Sequence, residues 1–202
     1  MRKSIYYITR YKFVFLAVVL ETVLISCSQN DTHIQNEIEK MMRSEVVIDI
    51  DSLEMFDGAD KEFIEKYNSA KMNWIVYFDS VACNPCKIKS LQSWNDYIQI
   101  SKENNYAIGF YFIFRKSNYG VDVEKIKEAM AESNLMCPIF VDSDGCFLRQ
   151  NATIPKEALY HTFLTDENWY PILVGNPLGN LDINDLFYKI LKERIPLYKN
   201  GN

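Results

Sequence analysis

The chain has 202 residues, of which 48% are apolar and 14% aromatic. This is enough to bury one sizeable core and too little for two large ones. The formal net charge is −5, and acidic and basic residues are interspersed after residue 30, which excludes the basic surface of a nucleic-acid-binding protein. We therefore expect one folded domain, and its charge indicates no polyionic partner.

The N-terminus has the composition of a secretory signal. Four basic residues among the first twelve precede an apolar run at residues 13–25, which is the order of the charged and apolar regions of an export signal. A membrane-spanning helix needs about twenty apolar residues, whereas this run is shorter and contains Glu21. We expect residues 1–26 to be a signal peptide and not a permanent transmembrane anchor.

The sequence Leu-Ile-Ser-Cys that ends at Cys27 resembles the bacterial lipobox, in which a small residue precedes the cysteine that is lipidated. The resemblance implies that Cys27 becomes the lipid-bearing N-terminus, and more than one acyl chain anchors a protein stably. Residues 27–44 would then be a lipidated N-terminus with a polar tether, and residues 45–202 the folded domain. The alternative is an ordinary signal peptide in which Cys27 has no such role.

The first predicted elements precede the central strand. Apolar positions within residues 34–42 predict a short helix in the tether. Residues 46–50 are β-branched and predict an edge strand, and residues 60–68 predict a helix with one apolar face. Residues 74–78, Trp-Ile-Val-Tyr-Phe, form a continuous apolar run, which is typical of a strand covered on both faces in a parallel sheet.

Helices and strands alternate after that strand. The spacing predicts a helix over residues 86–103, a strand over 107–114, a helix over 123–133 and a strand over 138–141. This βαβαβ order favours right-handed crossovers and a sheet with helices on both faces. The fold class is therefore α/β.

The C-terminal part has a different pattern. Residues 162–164 and 172–174 predict two short strands, and the loop between them is short enough for an antiparallel hairpin. Residues 183–194 predict a final helix with one apolar face. An antiparallel pair added to parallel strands gives a mixed central sheet.

Two cysteines, Cys83 and Cys86, are separated by two residues at the predicted start of a helix. The unpaired amides of a helix N-terminus stabilise a thiolate and lower its pKa from about 8.5 to between roughly 3.5 and 7.5. Cys83 would be the exposed nucleophile that attacks a disulfide, and Cys86 the buried thiol that resolves the mixed disulfide. Pro85 fits the first helical turn and stiffens the loop. Zinc would need further ligands at a matching spacing, and none follows.

The order of these features resembles the thioredoxin superfamily, and most closely the TlpA-like or redoxin branch of exported bacterial thiol-disulfide oxidoreductases. The resemblance implies a three-layer α/β/α sandwich with a mixed central sheet and an N-terminal extension. It also implies a redox-active dithiol, protein thiols or disulfides as partners, and no bound organic cofactor. The residues that carry it are 74–78, the motif Cys-Asn-Pro-Cys-Lys at 83–87, 138–141 with the Asp-Ser-Asp-Gly that follows, and 162–166.

The chain departs from this family at three places. Ala82 stands where the family usually has a tryptophan before the first cysteine, which implies a different docking of peptides. His161 stands at the position of the family's cis-proline before a strand, and Pro155 lies six residues too early. The family's buried carboxylate, which assists proton transfer, falls by count on Tyr77, with Asp79 two residues nearer to the dithiol. The proton acceptor is therefore unassigned.

Two further cysteines, Cys137 and Cys146, are not expected to pair with each other. Residues 142–145, Asp-Ser-Asp-Gly, predict a turn and are not followed by the glutamate of a calcium loop. A hairpin about that turn would set Val141 opposite Cys146 and leave Cys137 four residues away, which exceeds disulfide reach at about 3.3 Å per residue. We expect Cys137 to be a core thiol and Cys146 to be unpaired or weakly reactive.

The working hypothesis is a lipid-anchored thiol-disulfide oxidoreductase of the bacterial cell envelope, facing the periplasm or the cell surface. Because that environment is oxidising, a structural Cys83–Cys86 disulfide is one alternative. Another is the handling of a soft metal such as copper(I) by these cysteines with His161. If no metal is bound, His161 would either raise the reactivity of the two sulfurs or cap a strand as a partly buried histidine. A third alternative is a non-catalytic binding module, and the motif leaves the direction of electron flow open.

Overall fold

A computed structural model describes most of the domain that follows the predicted tether. The predicted signal peptide, Cys27 and the segment 80–89, with Ala82, Cys83, Pro85 and Cys86, lie outside the described residues. In the part of the chain that the structure describes, no helix is both long and apolar enough to cross a membrane. The described residues are 32–56, 65–67, 69–79, 90–116, 128 and 130–195.

The chain divides into two compact units at Glu39 and Lys40. In the first unit, residues 32–39 are helical, and His33 Nδ1 lies 3.7 Å from the Glu37 carboxylate. The second unit contains the sheet and begins with the helical residues 40–42. The short helix predicted within residues 34–42 is thus confirmed.

The described strands form one mixed sheet in the order β1-β4-β3-β2-β5-β6. Strands β2, β3 and β4 are parallel, whereas β5 is antiparallel to β2, β6 to β5 and β1 to β4. A parallel βαβ half is therefore joined to an antiparallel half, which is the thioredoxin-like topology that the sequence predicted. The strands are β1 Glu54–Phe56, β2 Met72–Phe78, β3 Ile108–Arg115, β4 Ile139–Asp142, β5 Thr162–Asp166 and β6 Pro171–Val174.

Strand β2 lies at the centre of the sheet because its side chains are apolar on both faces. Trp74 is paired in register with Phe110 of β3 and with Leu164 of β5. Trp74 and Val76 belong to one core cluster, and Ile75 and Tyr77 belong to the other. The continuous apolar run seen in the sequence is thus the strand that both layers cover.

Among the described residues, two longer helices and the helical residues 130–133 cover the first face of the sheet, and Met130 is buried there. Helix α1, Asn95–Glu103, follows a 3₁₀ turn at Leu91–Trp94 and buries Ile98. The C-terminal helix α3, Leu181–Arg194, buries Phe187, whose ring lies 5.6 Å from that of Trp74. The predicted helices at these places are confirmed where they are described.

The second face is covered by helix α2, Cys146–Gln150, and by the N-terminal extension. Phe147 of α2 packs with Met41, Val46 and Leu53 of the extension in the cluster that includes Ile75 and Tyr77 of β2. Helices thus lie on both sides of the mixed sheet. The predicted three-layer α/β/α architecture with an N-terminal extension is confirmed.

The predicted edge strand at residues 46–50 is wrong. The backbone N–H of Val47 donates to the side-chain oxygen of Asn151 at 2.8 Å, and the Asn151 amide donates back to the Val47 carbonyl at 2.8 Å. The Val46 N–H donates to the Trp169 carbonyl at 3.0 Å. Because a side chain and a turn satisfy these backbone groups, the segment needs no neighbouring strand. The strand at this edge of the sheet is instead β1, which follows the segment in sequence.

The predicted hairpin about residues 142–145 is also wrong. Gly145 has a φ of 63°, a left-handed conformation that glycine adopts without steric cost, and the chain then enters α2 at Cys146 instead of returning as a strand. Cys137 and Cys146 are nonetheless both free and buried. The prediction that they do not pair is confirmed, although for a different geometric reason.

A buried hydroxyl joins α1 to the sheet. Ser101 Oγ donates to the Ile108 carbonyl at 2.6 Å and accepts from the Ile108 N–H at 3.1 Å. We expect Ser101→Ala to lower the free energy of unfolding by about 2 kcal/mol, because both backbone groups lose a partner in a buried site. Urea unfolding measures this loss. Ser69→Ala is the control, because Ser69 donates to Lys66 in an exposed site, and an equal loss in both variants would contradict the account.

Candidate functional site

The carboxyl ends of the three parallel strands meet the start of β5 at one edge of the sheet. The segment that carries Cys83 and Cys86 continues directly from Asp79, the residue after β2. In parallel α/β sheets, ligands and reactive groups are found at this edge. The described polar side chains here are Tyr77, Asp79, Arg115, Asp142 and His161.

His161 lies immediately before β5, where the sequence predicted it. Its backbone carbonyl accepts from the Tyr77 N–H at 2.8 Å, which joins it to the end of β2. The imidazole Nε2 lies 3.0 Å from the Pro155 carbonyl oxygen. A carbonyl can only accept, so Nε2 carries the hydrogen and Nδ1 of the neutral ring carries a lone pair.

The His161 side chain is more deeply buried than the partly buried strand cap expected from the sequence. Only 1% of the residue is exposed, and Nδ1 has no hydrogen-bond partner among the residues that the structure describes. A buried polar atom without a partner is uncommon and calls for an explanation. The unpaired Nδ1 is a free acceptor, or a free ligand atom, at the edge from which the dithiol segment departs.

Pro155 does not take the place of the family's cis-proline. Its carbonyl is the hydrogen-bond partner of the His161 ring, and the 3₁₀ turn Ala158–Tyr160 separates it from β5. Within the described ranges, no peptide bond is cis. The position before β5 is therefore occupied by histidine, as predicted.

The buried carboxylate at this edge belongs to Asp142, the last residue of β4, which the sequence assigned only to a turn. Asp142 is fully buried. Its carboxylate accepts from the N–H groups of Cys146 and Phe147, at 2.8 and 3.1 Å, and from the Cys146 thiol at 3.2 Å. The sequence signal that could have indicated this role is an aspartate four residues before a helix start.

Tyr77 connects Asp142 to His161 at the end of β2. Its hydroxyl donates to Asp142 Oδ2 at 3.4 Å, and its ring stacks on Phe147 at 4.9 Å and lies edge-on to His161 at 5.6 Å. Burial, together with the Asp142 carboxylate, raises the pKa of Tyr77 well above its ordinary value. The phenol is thus a permanent donor, and the buried carboxylate at this edge comes from β4 and not from β2.

Asp79 is not a buried proton acceptor. Its carboxylate lies 2.7 Å from the Arg115 guanidinium of β3, and about a third of its side chain is exposed. The hydrogen bond to Asp79, together with the charge of that carboxylate, raises the pKa of Arg115 further above its ordinary value. Arg115 is therefore a fixed positive charge between the end of β2 and the end of β4.

The two described cysteines are poor nucleophiles. Burial raises the pKa of the Cys137 thiol. Burial also raises the pKa of Cys146, whose sulfur lies 3.2 Å from the Ser52 hydroxyl and is hydrogen-bonded to Asp142. A thiol reacts as its thiolate, so both groups are structural in this environment.

The described residues do not by themselves form a metal centre. Within them, no three histidine, cysteine or acidic side chains are grouped as ligands. His161 Nδ1 could supply one ligand atom, and any sulfur ligands would have to come from Cys83 and Cys86, which lie outside the described residues.

Comparison with known proteins gives similarity in fold only. No family model matches the sequence, and none of the curated proteins is detectably similar to it. A thioredoxin-like protein in its oxidised form is 21% identical over 69% of this chain and 88% of that one, with a TM-score of 0.47. Peroxiredoxin Q of Xanthomonas campestris is 14% identical over 63% and 82%, with a TM-score of 0.43. An uncharacterised thioredoxin-like protein from Porphyromonas gingivalis is 19% identical over 65% and 80%, with a TM-score of 0.40.

Proposed function

We propose that the protein is an exported, lipid-anchored thiol-disulfide oxidoreductase that exchanges disulfides with protein partners through Cys83 and Cys86. One observation carries the proposal: the Cys-x-x-Cys segment continues from the central strand β2, at the edge where β5 begins and where a buried carboxylate and an unpaired imidazole nitrogen lie. A mixed sheet of thioredoxin-like topology supports this assignment, because the segment follows the carboxyl end of a central parallel strand, and ligands bind at that edge in open α/β sheets.

The exchange consists of two displacements at sulfur. The Cys83 thiolate attacks one sulfur of a substrate disulfide, so a mixed disulfide forms and the first substrate thiolate leaves. The Cys86 thiolate then attacks the Cys83 sulfur, and the second substrate thiolate leaves. Two electrons have passed from the dithiol to the substrate, and a dithiol on a partner protein returns the enzyme to its reduced form. The reverse sequence oxidises a substrate dithiol.

The buried groups at this edge support proton transfer during the exchange. His161 Nδ1 is an acceptor without a partner, and Tyr77 and Asp142 form a hydrogen-bonded pair on the same face of the sheet. Each displacement consumes a thiolate, so the second cysteine must lose a proton to a nearby base. By its fixed φ, Pro85 would restrict the dithiol loop, and Ala82 in place of the tryptophan of similar proteins would change how a peptide docks.

Soft-metal binding is a second candidate, and the unpaired His161 Nδ1 is the observation that favours it. Two thiolates and one imidazole nitrogen form a donor set that suits copper(I). The protein would then carry or deliver a metal ion, and the cysteines would remain reduced. Metal analysis separates this function from disulfide exchange.

The proposed lipid anchor at Cys27 would determine where the domain acts. A lipid at Cys27 would hold the domain at a membrane surface through residues 27–39, which are shorter than the predicted tether because Met41 is buried in the unit that contains the sheet. Its partners would be proteins of the cell envelope. The metabolic labelling of Cys27 with a radioactive fatty acid tests this part. Labelling that is lost in Cys27→Ser is expected, and equal labelling of the two chains would contradict it.

The catalytic part is tested by insulin reduction with dithiothreitol as the electron donor. We expect the purified chain, free of metal, to accelerate the precipitation of insulin chains well above the rate with dithiothreitol alone. A protein that purifies with one equivalent of copper and is inactive in this assay would favour the metal-binding function. A protein that is both metal-free and inactive would contradict both functions and favour a non-catalytic binding module.

A further inference from the structure

Residues 40–53, which we call the strap, pack on the second face of the sheet before the chain enters β1. None of these residues belongs to a strand, so the strap is not part of the hydrogen-bonded sheet. Its buried side chains Met41, Val46 and Leu53 pack in the cluster that contains Phe147 of α2. The strap therefore covers an apolar surface that would otherwise face solvent.

The strap is fastened to the domain by a side chain and by a turn. Asn151, which follows α2, exchanges two hydrogen bonds of 2.8 Å with the backbone of Val47. The Trp169 carbonyl accepts from the Val46 N–H at 3.0 Å. Trp169 has a φ of 65°, a conformation that is uncommon for a bulky residue and costs free energy. Release of these fastenings would break no strand pair.

The far end of the strap covers a free thiol. Ser52 Oγ lies 3.2 Å from Cys146 Sγ, and Leu53 of the strap belongs to the same buried cluster as Cys146. The thiol donates to the Asp142 carboxylate at 3.2 Å. Because Asp142 belongs to β4 and not to the strap, it would stay in place if the strap moved away. Removal of the strap would thus uncover the sulfur and leave the sheet intact.

Opening of the strap requires less free energy than unfolding of the domain. The strap is the first part of the compact unit that contains the sheet, and the ends of a folded unit open at the lowest cost. Strand β1 follows the strap and is paired with β4 from Glu54 to Phe56, which gives the open strap a fixed end. Opening therefore breaks the contacts of the strap alone.

We propose that the strap is a gate for the Cys146 thiol. In the closed form it withholds the sulfur from disulfides and other thiol reagents, and in the open form it exposes the sulfur while the sheet stays folded. An accessible thiolate exchanges with disulfides, so the gate would protect Cys146 in the oxidising environment proposed above. The gating itself does not depend on the exchange proposed for Cys83 and Cys86.

The rate of Cys146 alkylation tests the gate. The full chain, purified in detergent and fully reduced, is treated with excess N-ethylmaleimide under native conditions, and samples are quenched at intervals. Proteolysis before Asp142 and Asp144 places Cys137 and Cys146 on different peptides, so that mass spectrometry measures the two rates in one sample. Cys137 is the internal control, because it is buried in the cluster on the first face of the sheet.

Two variants should open the strap from its two sides. Asn151→Ala removes both hydrogen bonds to Val47, and Met41→Ala removes a fully buried side chain of the strap itself. We expect each to raise the rate of Cys146 alkylation about tenfold, because each increases the population of the open form. The rate of Cys137 should stay at its wild-type value in both.

Asn95→Ala is the matched control for Asn151→Ala. The Asn95 amide donates to the Asn134 carbonyl at 2.8 Å and accepts from the Met136 N–H at 3.0 Å. It thus fastens a loop by the same pair of bonds, but away from the strap. This substitution should leave the rate of Cys146 unchanged.

Urea distinguishes opening of the strap from global unfolding. Below the unfolding transition of the wild-type chain, the rate of Cys146 should rise with urea much less steeply than the equilibrium constant for unfolding, because opening exposes little surface. Equal slopes, or equal acceleration of Cys137 and Cys146 in the variants, would overturn the inference, because the whole domain would then open. An unchanged Cys146 rate in both variants would also overturn it, and acceleration by Asn151→Ala alone would assign the opening to α2 instead.

Discussion

Cys83→Ser should abolish insulin reduction, with a loss of at least about 100-fold, because a serine hydroxyl has no thiolate with which to attack a disulfide. Cys86→Ser should also lose turnover, but it keeps the nucleophile and should accumulate a mixed disulfide with the substrate. Non-reducing electrophoresis and mass spectrometry detect that adduct. The two variants therefore differ in the species they accumulate and not only in rate.

Cys146→Ser provides the matched control for these variants. Cys146 is a free, buried thiol on the second face of the sheet, and its substitution should leave the exchange rate within about twofold of wild type. Full activity in Cys83→Ser, or a mixed disulfide formed by Cys146 in the place of Cys83, would contradict the assignment of the nucleophile.

Asp142→Ala should be strongly destabilising, with a loss of about 3 to 4 kcal/mol in the free energy of unfolding. The substitution leaves two backbone N–H groups at the start of α2, the Cys146 thiol and the Tyr77 hydroxyl without their acceptor. Each buried donor that loses its partner costs about 1 to 3 kcal/mol, reduced by local relaxation. Urea unfolding of the variant measures the sum.

Asp166→Ala is the appropriate comparison for Asp142. Its carboxylate also accepts from two backbone N–H groups, those of Asn168 and Tyr170, at 2.9 and 3.0 Å, but both contacts are exposed to solvent. We expect a loss of about 1 kcal/mol there. If Asp142→Ala does not fold, Asp142→Asn, which keeps one acceptor oxygen, should fold and be intermediate in stability. Equal losses at the two positions would contradict the account of burial.

The central strand and the C-terminal half were predictable because their signals are local. Residues 74–78 are apolar on both faces, and this pattern predicts a strand inside a parallel sheet whatever its partners are. The final helix has its apolar residues on one face and is capped by Asn180, whose side chain accepts from the Ile183 N–H at 3.1 Å. Periodicity and capping thus define these elements without tertiary information.

The edge of the sheet could be predicted only in part, because its chemistry depends on contacts between distant residues. His161 was found through its place in the family pattern, but nothing local indicates that its ring is buried and that Nδ1 lacks a partner. Asp142 was assigned to a turn, because Asp-Ser-Asp-Gly is a turn sequence. Its carboxylate is buried by contacts with α2 and Tyr77, which the local sequence does not indicate. The ion pair between Asp79 and Arg115 likewise could not be predicted, because its partners follow or end two different strands and are distant in sequence.

The N-terminal extension was misassigned for a related reason. A β-branched run such as residues 46–50 favours a strand by propensity, yet propensity yields to whatever group satisfies the backbone. Asn151, which is 104 residues away from Val47 along the chain, provides both a donor and an acceptor to it. A single amide side chain replaces a neighbouring strand, and no local pattern marks it.

The redox equilibrium of Cys83 and Cys86 tests the central claim most directly. The full chain is equilibrated in glutathione and dithiothreitol buffers of graded potential, free thiols are alkylated, and the oxidised fraction is read from peptides that contain the two cysteines. The account predicts a reversible two-electron transition of this pair, with Cys137 and Cys146 reduced throughout. A pair that stays oxidised at every potential, or that reacts only after metal is removed, would contradict it.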